Sequence, residues 1–187
     1  MAKTSKLFAW TEVGYSLFAE EGIDGIQIER LARILQLNKS GFYHYFGDLD
    51  VFYLELLALH QKKAVAYLND LRKIKTIDPE YLDTLVQHKV PIMFQVQLIR
   101  LNESSALKVA QIIDLKELEI LRNAWNEYLC IHDNPGLAMR YFDMVRDMCY
   151  ARITIKNISA SHLRGLFRES KALMQRLAKS SAILQLD

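Results

Sequence analysis

Apolar positions return every three or four residues from the start of the chain. Leu7, Trp10, Val13, Gly14, Leu17 and Phe18 fall on one face at the helical period, which predicts a helix over residues 4–21. Gly22 ends it, since glycine enters the left-handed conformation of a helix C-cap without a Cβ clash. Two short periodic segments follow, at 27–35 and 39–46. Asn38 between them can accept from the free amides of the next first turn, as an N-cap does. Gly47 closes this small module, and Asp48 is placed to cap a long helix reaching residue 73. Further helix starts are predicted at Asp78-Pro79 and Asn134-Pro135, each a capping side chain followed by proline at the first helical position. Asp114 with Glu117 three residues on resembles a capping box. Pro91 should kink or divide its helix, because it lacks an amide hydrogen and clashes one turn back. Two long apolar stripes close the chain, over 134–156 and 160–179. The pattern as a whole predicts nine or ten helices and an all-α fold.

Within residues 39–46 the two faces separate cleanly. Phe42 and Phe46 lie one turn apart and should face Leu31, Leu35 and Phe18. That leaves Lys39, Ser40, Gly41, Tyr43 and His44 outward, while Tyr45 reads equally well on either side. A helix, a polar break and a second helix with such a flank is the layout of a helix-turn-helix, whose second helix enters the DNA major groove. Lys39 can reach a phosphate or a guanine edge, Tyr43 a phosphate or a thymine methyl, and His44 a phosphate or base edge. Gly41 allows close approach to the groove.

Composition changes the picture in three ways. Only seven Gly and three Pro in 187 residues support continuous helix. The N-terminus lacks the apolar run of a signal peptide and no stretch approaches the roughly 20 apolar residues of a membrane span, so a cytoplasmic protein with no membrane partner is expected. Cys130 and Cys149 have no C-x-x-C spacing and are expected to be small buried apolar residues. The five His show no paired ligand spacing, and no nucleophile motif or Gly-rich phosphate loop is present. The expectation is therefore no catalytic residue, no metal site and no cofactor. Charge is uneven. The chain carries +2, yet residues 1–50 hold five Lys and Arg against seven Asp and Glu, a net −2.

The stretch from Trp10 to Phe52 resembles the DNA-binding domain of the TetR (tetracycline repressor-like) family of bacterial regulators. Phe18 and Gly22 match that family's Phe-x-x-x-Gly helix end, Ala32 its small second-helix residue, and Leu37 its apolar turn residue. Asn38 stands for its usual Ser cap, and Phe42-Tyr43-His44-Tyr45-Phe46 matches the aromatic run closing its recognition helix. Three positions depart: Gln27 replaces a Ser or Thr cap, Gln36 a turn Gly, and Leu49 a phosphate-contacting Lys. The resemblance implies a DNA-binding head over 1–47, with Gln27, Lys39, Ser40, Gly41, Tyr43 and His44 on DNA, and a helical effector-binding and dimerisation body over 48–187.

For the body, the resemblance implies a cavity for a small apolar or amphipathic effector, to which Met93, Phe94, Gln97, Trp125, Tyr128, Met144 and Met148 are assigned. Gln95, His88 and Asn126 are further polar candidates. It also implies a homodimer made by the last two helices, through Leu137, Tyr141, Leu163, Leu166, Phe167, Leu173 and Met174. Such a dimer would read two half-sites of a palindromic double-stranded operator. The function expected is a ligand-released repressor. The alternative is a helical ligand-binding or protein-interaction module whose DNA binding has decayed.

Overall fold

Gly22 and Gly47 take φ of +71° and +77°, and these two positions bracket the two short helices of the N-terminal module. In the computed structural model, residues 2–130 and 135–183 are described, and they contain nine α-helices and no strand. The helices are α1 (Ala2–Glu21), α2 (Ile28–Leu35), α3 (Lys39–Phe46), α4 (Leu49–Leu71), α5 (Leu82–Gln87), α6 (Lys89–Leu101), α7 (Ser104–Leu129), α8 (Pro135–Arg152) and α9 (Ala160–Ile183). A 3₁₀ turn follows α1, and a π turn (Ile77–Tyr81) precedes α5.

Several local signals act as the sequence predicts. The Asn38 side chain accepts from the Ser40 amide at 3.0 Å, and Asp48 Oδ1 accepts from the Val51 amide at 2.8 Å. Pro91 divides rather than kinks: α5 stops at Gln87, and Pro91 sits in the first turn of α6, where an amide hydrogen has no partner to lose. Helix α8 begins at Pro135; its expected cap, Asn134, lies outside the described residues.

Other signals are overridden. Asp78 does not cap a helix; its carboxylate accepts from Arg164 Nε at 2.8 and 3.0 Å, and Glu80 instead accepts from the Lys75 and Thr76 amides. Asp114 and Glu117 do not start a helix either. Both sit inside α7 with their carboxylates buried, held there by partners far away in sequence.

The chain forms two compact units. The first comprises residues 1–69 and 88–115. Its apolar centre is aromatic: Phe42 meets Trp10 at 5.5 Å and Phe52 at 5.1 Å between ring centroids, and Phe46 meets Phe52 at 4.8 Å. Each such ring fully removed from water contributes about 1.5–3 kcal/mol. Gly14 leaves room for the Phe52 ring, which a Cβ at that position would run into.

Behind this centre runs a buried chain of hydrogen bonds joining four helices. Tyr15 on α1 bonds His60 Nδ1 on α4 at 2.8 Å, and His60 Nε2 bonds Gln95 Oε1 on α6 at 2.8 Å. The Gln95 amide then donates to Ala110 O and Asp114 Oδ1 on α7, both at 2.8 Å. Donor logic orders it: Gln95 Oε1 only accepts, so His60 carries its proton on Nε2 and Tyr15 donates to Nδ1. Burial pushes the His60 pKa down to about 4, so the ring is neutral.

The second unit comprises residues 70–87 and 116–187. Trp125 is its hub, stacked on Tyr128 at 5.5 Å, edge-on to Phe142 at 5.3 Å, and donating from Nε1 to Ala138 O at 2.7 Å. Tyr81 donates to the buried Glu117 carboxylate at 2.6 Å. Cys149 is buried as expected, with its thiol pushed up to about 12. Cys130 is exposed instead, because it follows the last residue of α7 in a left-handed turn with φ of 58°.

Candidate nucleic-acid interface

The turn between α2 and α3 is built by hydrogen bonds that end a helix abruptly. The Leu37 amide donates to Ala32 O at 2.9 Å and the Gln36 amide to Arg33 O at 3.3 Å, the two bonds of a Schellman stop. Gln36 occupies its left-handed position with φ of 54°, where glycine carries no Cβ penalty. The chain then enters α3 through the Asn38 cap.

Helix α3 divides as its sequence predicts. Phe42 and Phe46 are buried, while Tyr43 is 54% exposed and Lys39, Ser40 and His44 are exposed beside it. Tyr45 is half-buried. No atom lies within 4 Å of the position a Cβ would take on Gly41, so that glycine is not required by internal packing. Gln27 is exposed at the N-cap of α2, but its side chain makes no cap bond and donates to Asp24 O at 3.2 Å. Leu49 is 39% exposed at the first position of α4.

The electrostatics hold something that residue spacing did not reveal. Lys39 Nζ lies 2.9 Å from Glu29 Oε1, an ion pair across the helix-turn-helix. Arg30 donates to the Glu21 carboxylate from Nη1 and Nη2 at 2.5 and 2.6 Å. The hydrogen bond from Lys39 holds the Glu29 carboxyl below its usual range, and the same bond raises the Lys39 ammonium.

An exposed, polar recognition flank on a short helix after a Schellman-terminated brace is a DNA-reading arrangement. Residues 11–56 match the family model for bacterial regulatory proteins of the tetR family. Over that stretch the chain is similar to the TetR family. Over its wider length, a crystal structure of a transcriptional regulator (TerR/AcrR family) from Aquifex aeolicus VF5 is similar in fold, with a TM-score of 0.60. That likeness covers 90% of this chain and 98% of the other at 17% identity. No curated protein matches the sequence.

The residues expected to hold an effector fall in both units. Met93 and Phe94 are buried on α6 in the first, Phe94 stacked on Tyr15 at 4.2 Å, and Gln97 is half-buried beside Gly22. Trp125, Tyr128, Met144 and Met148 lie in the second, where Tyr128 and Met148 are half-buried and Met144 is 62% exposed. The Met148 sulfur accepts from Ser170 Oγ at 3.4 Å. The first unit also presents a cleft of about 320 Å³ lined by Glu12, Tyr15, Ser16, Lys63, Ala66, His88, Val90 and Pro91. Of these, only His88 is among the effector candidates expected from sequence.

The residues expected at a dimer interface divide as well. Leu163, Leu166, Phe167 and Met174 are buried within the protomer, so their apolar surface is already covered by their own chain. Tyr141 is half-buried, and Leu173 is 59% exposed. The Leu137 side chain lies outside the described residues. Among the described residues no helix is long and apolar enough to cross a membrane.

Proposed function

We propose that this chain is a ligand-responsive repressor that binds a palindromic operator as a homodimer through α3 and is released by a small apolar or amphipathic effector. The observation that carries the DNA-reading part is the division of α3. Phe42 and Phe46 are fixed in the core, and Lys39, Ser40, Tyr43 and His44 are held together at the surface. Residues 1–47 act as the reading head and 48–187 as the effector and dimer body. Dimerisation would use the exposed side of α8 and α9, with Met144 and Leu173 as its apolar contacts, since the buried members of those stripes serve the protomer. Trp125, Tyr128 and Met148 would border the effector, because aromatic and Met side chains adapt to apolar ligands.

The test is binding-site selection from random duplexes with the purified protein, followed by release screening with small apolar molecules. A palindromic consensus with half-sites about one helical turn apart, weakened by Tyr43→Ala, supports the reading. Enrichment of no sequence, or equal binding by Tyr43→Ala, overturns it. The net −2 over residues 1–50 favours a second reading, in which DNA binding has decayed and the body alone acts as a ligand or protein module. Failure of selection together with retained effector binding would establish that reading.

A further inference from the structure

Lys39 is the one cation on the exposed flank of the recognition helix, and its ammonium is already engaged by Glu29 at 2.9 Å. Glu29 belongs to the second residue of α2 and Lys39 to the first residue of α3, so the pair spans the two helices that a helix-turn-helix presents to DNA. Both side chains are open to solvent, at 73% and 52% exposure, so a phosphate can reach the ammonium without rearranging the core. Arg30 is likewise paired with Glu21, and residues 1–50 carry a net −2.

Resting on the DNA-reading function above, we propose that Glu29 is an intramolecular competitor for DNA phosphate, an autoinhibitory contact that withholds Lys39 until a duplex exchanges for it. When Lys39 turns to a phosphate, the Glu29 carboxylate is stranded beside the DNA backbone. When the pair persists on DNA, Lys39 neutralises no phosphate and releases no counterion. Either outcome costs binding to any duplex, whatever its sequence. Glu29 therefore sets how weakly this head holds non-specific DNA. A purely architectural pair, bracing α2 against α3, would act in the opposite direction, because its loss would loosen the head and weaken binding.

The experiment compares wild type, Glu29→Gln, Lys39→Gln and the double variant on a random-sequence duplex of about 30 base pairs across a salt series, with Tyr43→Ala as a marker of DNA reading. Exposed ion pairs of this kind correspond to about a two- to fivefold effect per head, so Glu29→Gln should tighten binding by that factor. Its salt slope should steepen by about 0.9 per head. Lys39→Gln should weaken binding, and the gain from Glu29→Gln should shrink in the Lys39→Gln background, because the competitor then has nothing to withhold. Weaker or unchanged binding by Glu29→Gln, or an equal gain in both backgrounds, overturns the inference while leaving DNA reading intact if Tyr43→Ala still weakens binding. Absence of duplex binding by both wild type and Glu29→Gln overturns the DNA-reading function and the inference together.

Discussion

His60 should make the stability of the first unit depend on pH in a range where few other groups do. The ring is 1% exposed and bonded on both nitrogens, to Tyr15 and to Gln95. Burial takes its pKa down to about 4, against about 6.5 in an unfolded chain. Between those values the unfolded state binds a proton that the folded state refuses, so stability is complete above about pH 6.5 and falls as pH drops toward 4. The full difference is about 3 kcal/mol, of which about 2 kcal/mol should be lost between about pH 8 and pH 5. Glu29, Glu80 and Glu103, which are held below the usual carboxylate range, lose their contribution at still lower pH. Urea unfolding at the two pH values measures it, followed by tryptophan fluorescence, with Trp10 reporting from the first unit. His60→Gln should be less stable at about pH 8 by about 1–3 kcal/mol, because the buried Tyr15 hydroxyl loses its acceptor, and its pH dependence should largely vanish. A wild type equally stable at both pH values, or a His60→Gln variant that keeps the wild-type slope, would refute the reasoning.

Three further outcomes are expected. Gly41→Ala should raise the melting temperature, since alanine is favoured in a helix interior by about 0.5–1 kcal/mol and meets no neighbouring atom, yet should weaken operator binding if the groove needs the space. Gln36→Gly should stabilise the head by about 1 kcal/mol in chemical denaturation by relieving a left-handed residue of its Cβ; a loss of stability would mean the Gln36 side chain contributes more than its backbone costs. Leu49→Lys should strengthen both specific and non-specific binding and steepen the salt slope by about one unit per subunit in a titration, and an unchanged slope would remove Leu49 from the DNA-facing surface.

What could be read from the sequence was whatever is decided within a turn or two of chain. Gly22, Asn38, Gly47 and Asp48 act on amides and dihedrals at most three residues away, and each behaves as its residue type dictates. The α3 face pattern was legible for the same reason, since a helical period fixes which side chains share a side. Asp114 and Glu117 show the limit. A three-residue spacing is the mark of a capping box and equally of one face within a helix, and what decides between them is a Gln95 nineteen residues back and a Tyr81 thirty-six residues back. The apolar stripes of α8 and α9 show a related limit: periodicity says that Leu163, Leu166 and Phe167 are buried, without saying by which chain. Glu29 and Lys39 are ten residues apart across a turn, beyond any i,i+4 rule, so their pairing emerges only from the fold.

A self-paired head with no excess of positive charge alters the balance between affinity and selectivity on the proposed DNA-reading function. Non-specific binding is almost wholly electrostatic, whereas discrimination comes from base edges and from polar groups that fix register. With Lys39 and Arg30 occupied by Glu29 and Glu21, the electrostatic share is small, and Tyr43, Ser40, His44 and the first turns of α2 and α3 must supply the contacts. Those contacts are short-ranged and directional, so they contribute only where shape and sequence match. Subtracting long-range attraction therefore weakens binding to every duplex but weakens the wrong ones by a larger fraction of their affinity. Such a head would spend less time on random DNA, and in the proposed homodimer operator occupancy would depend more steeply on having two heads correctly spaced. Any effector that shifts that spacing has correspondingly little residual attraction to overcome.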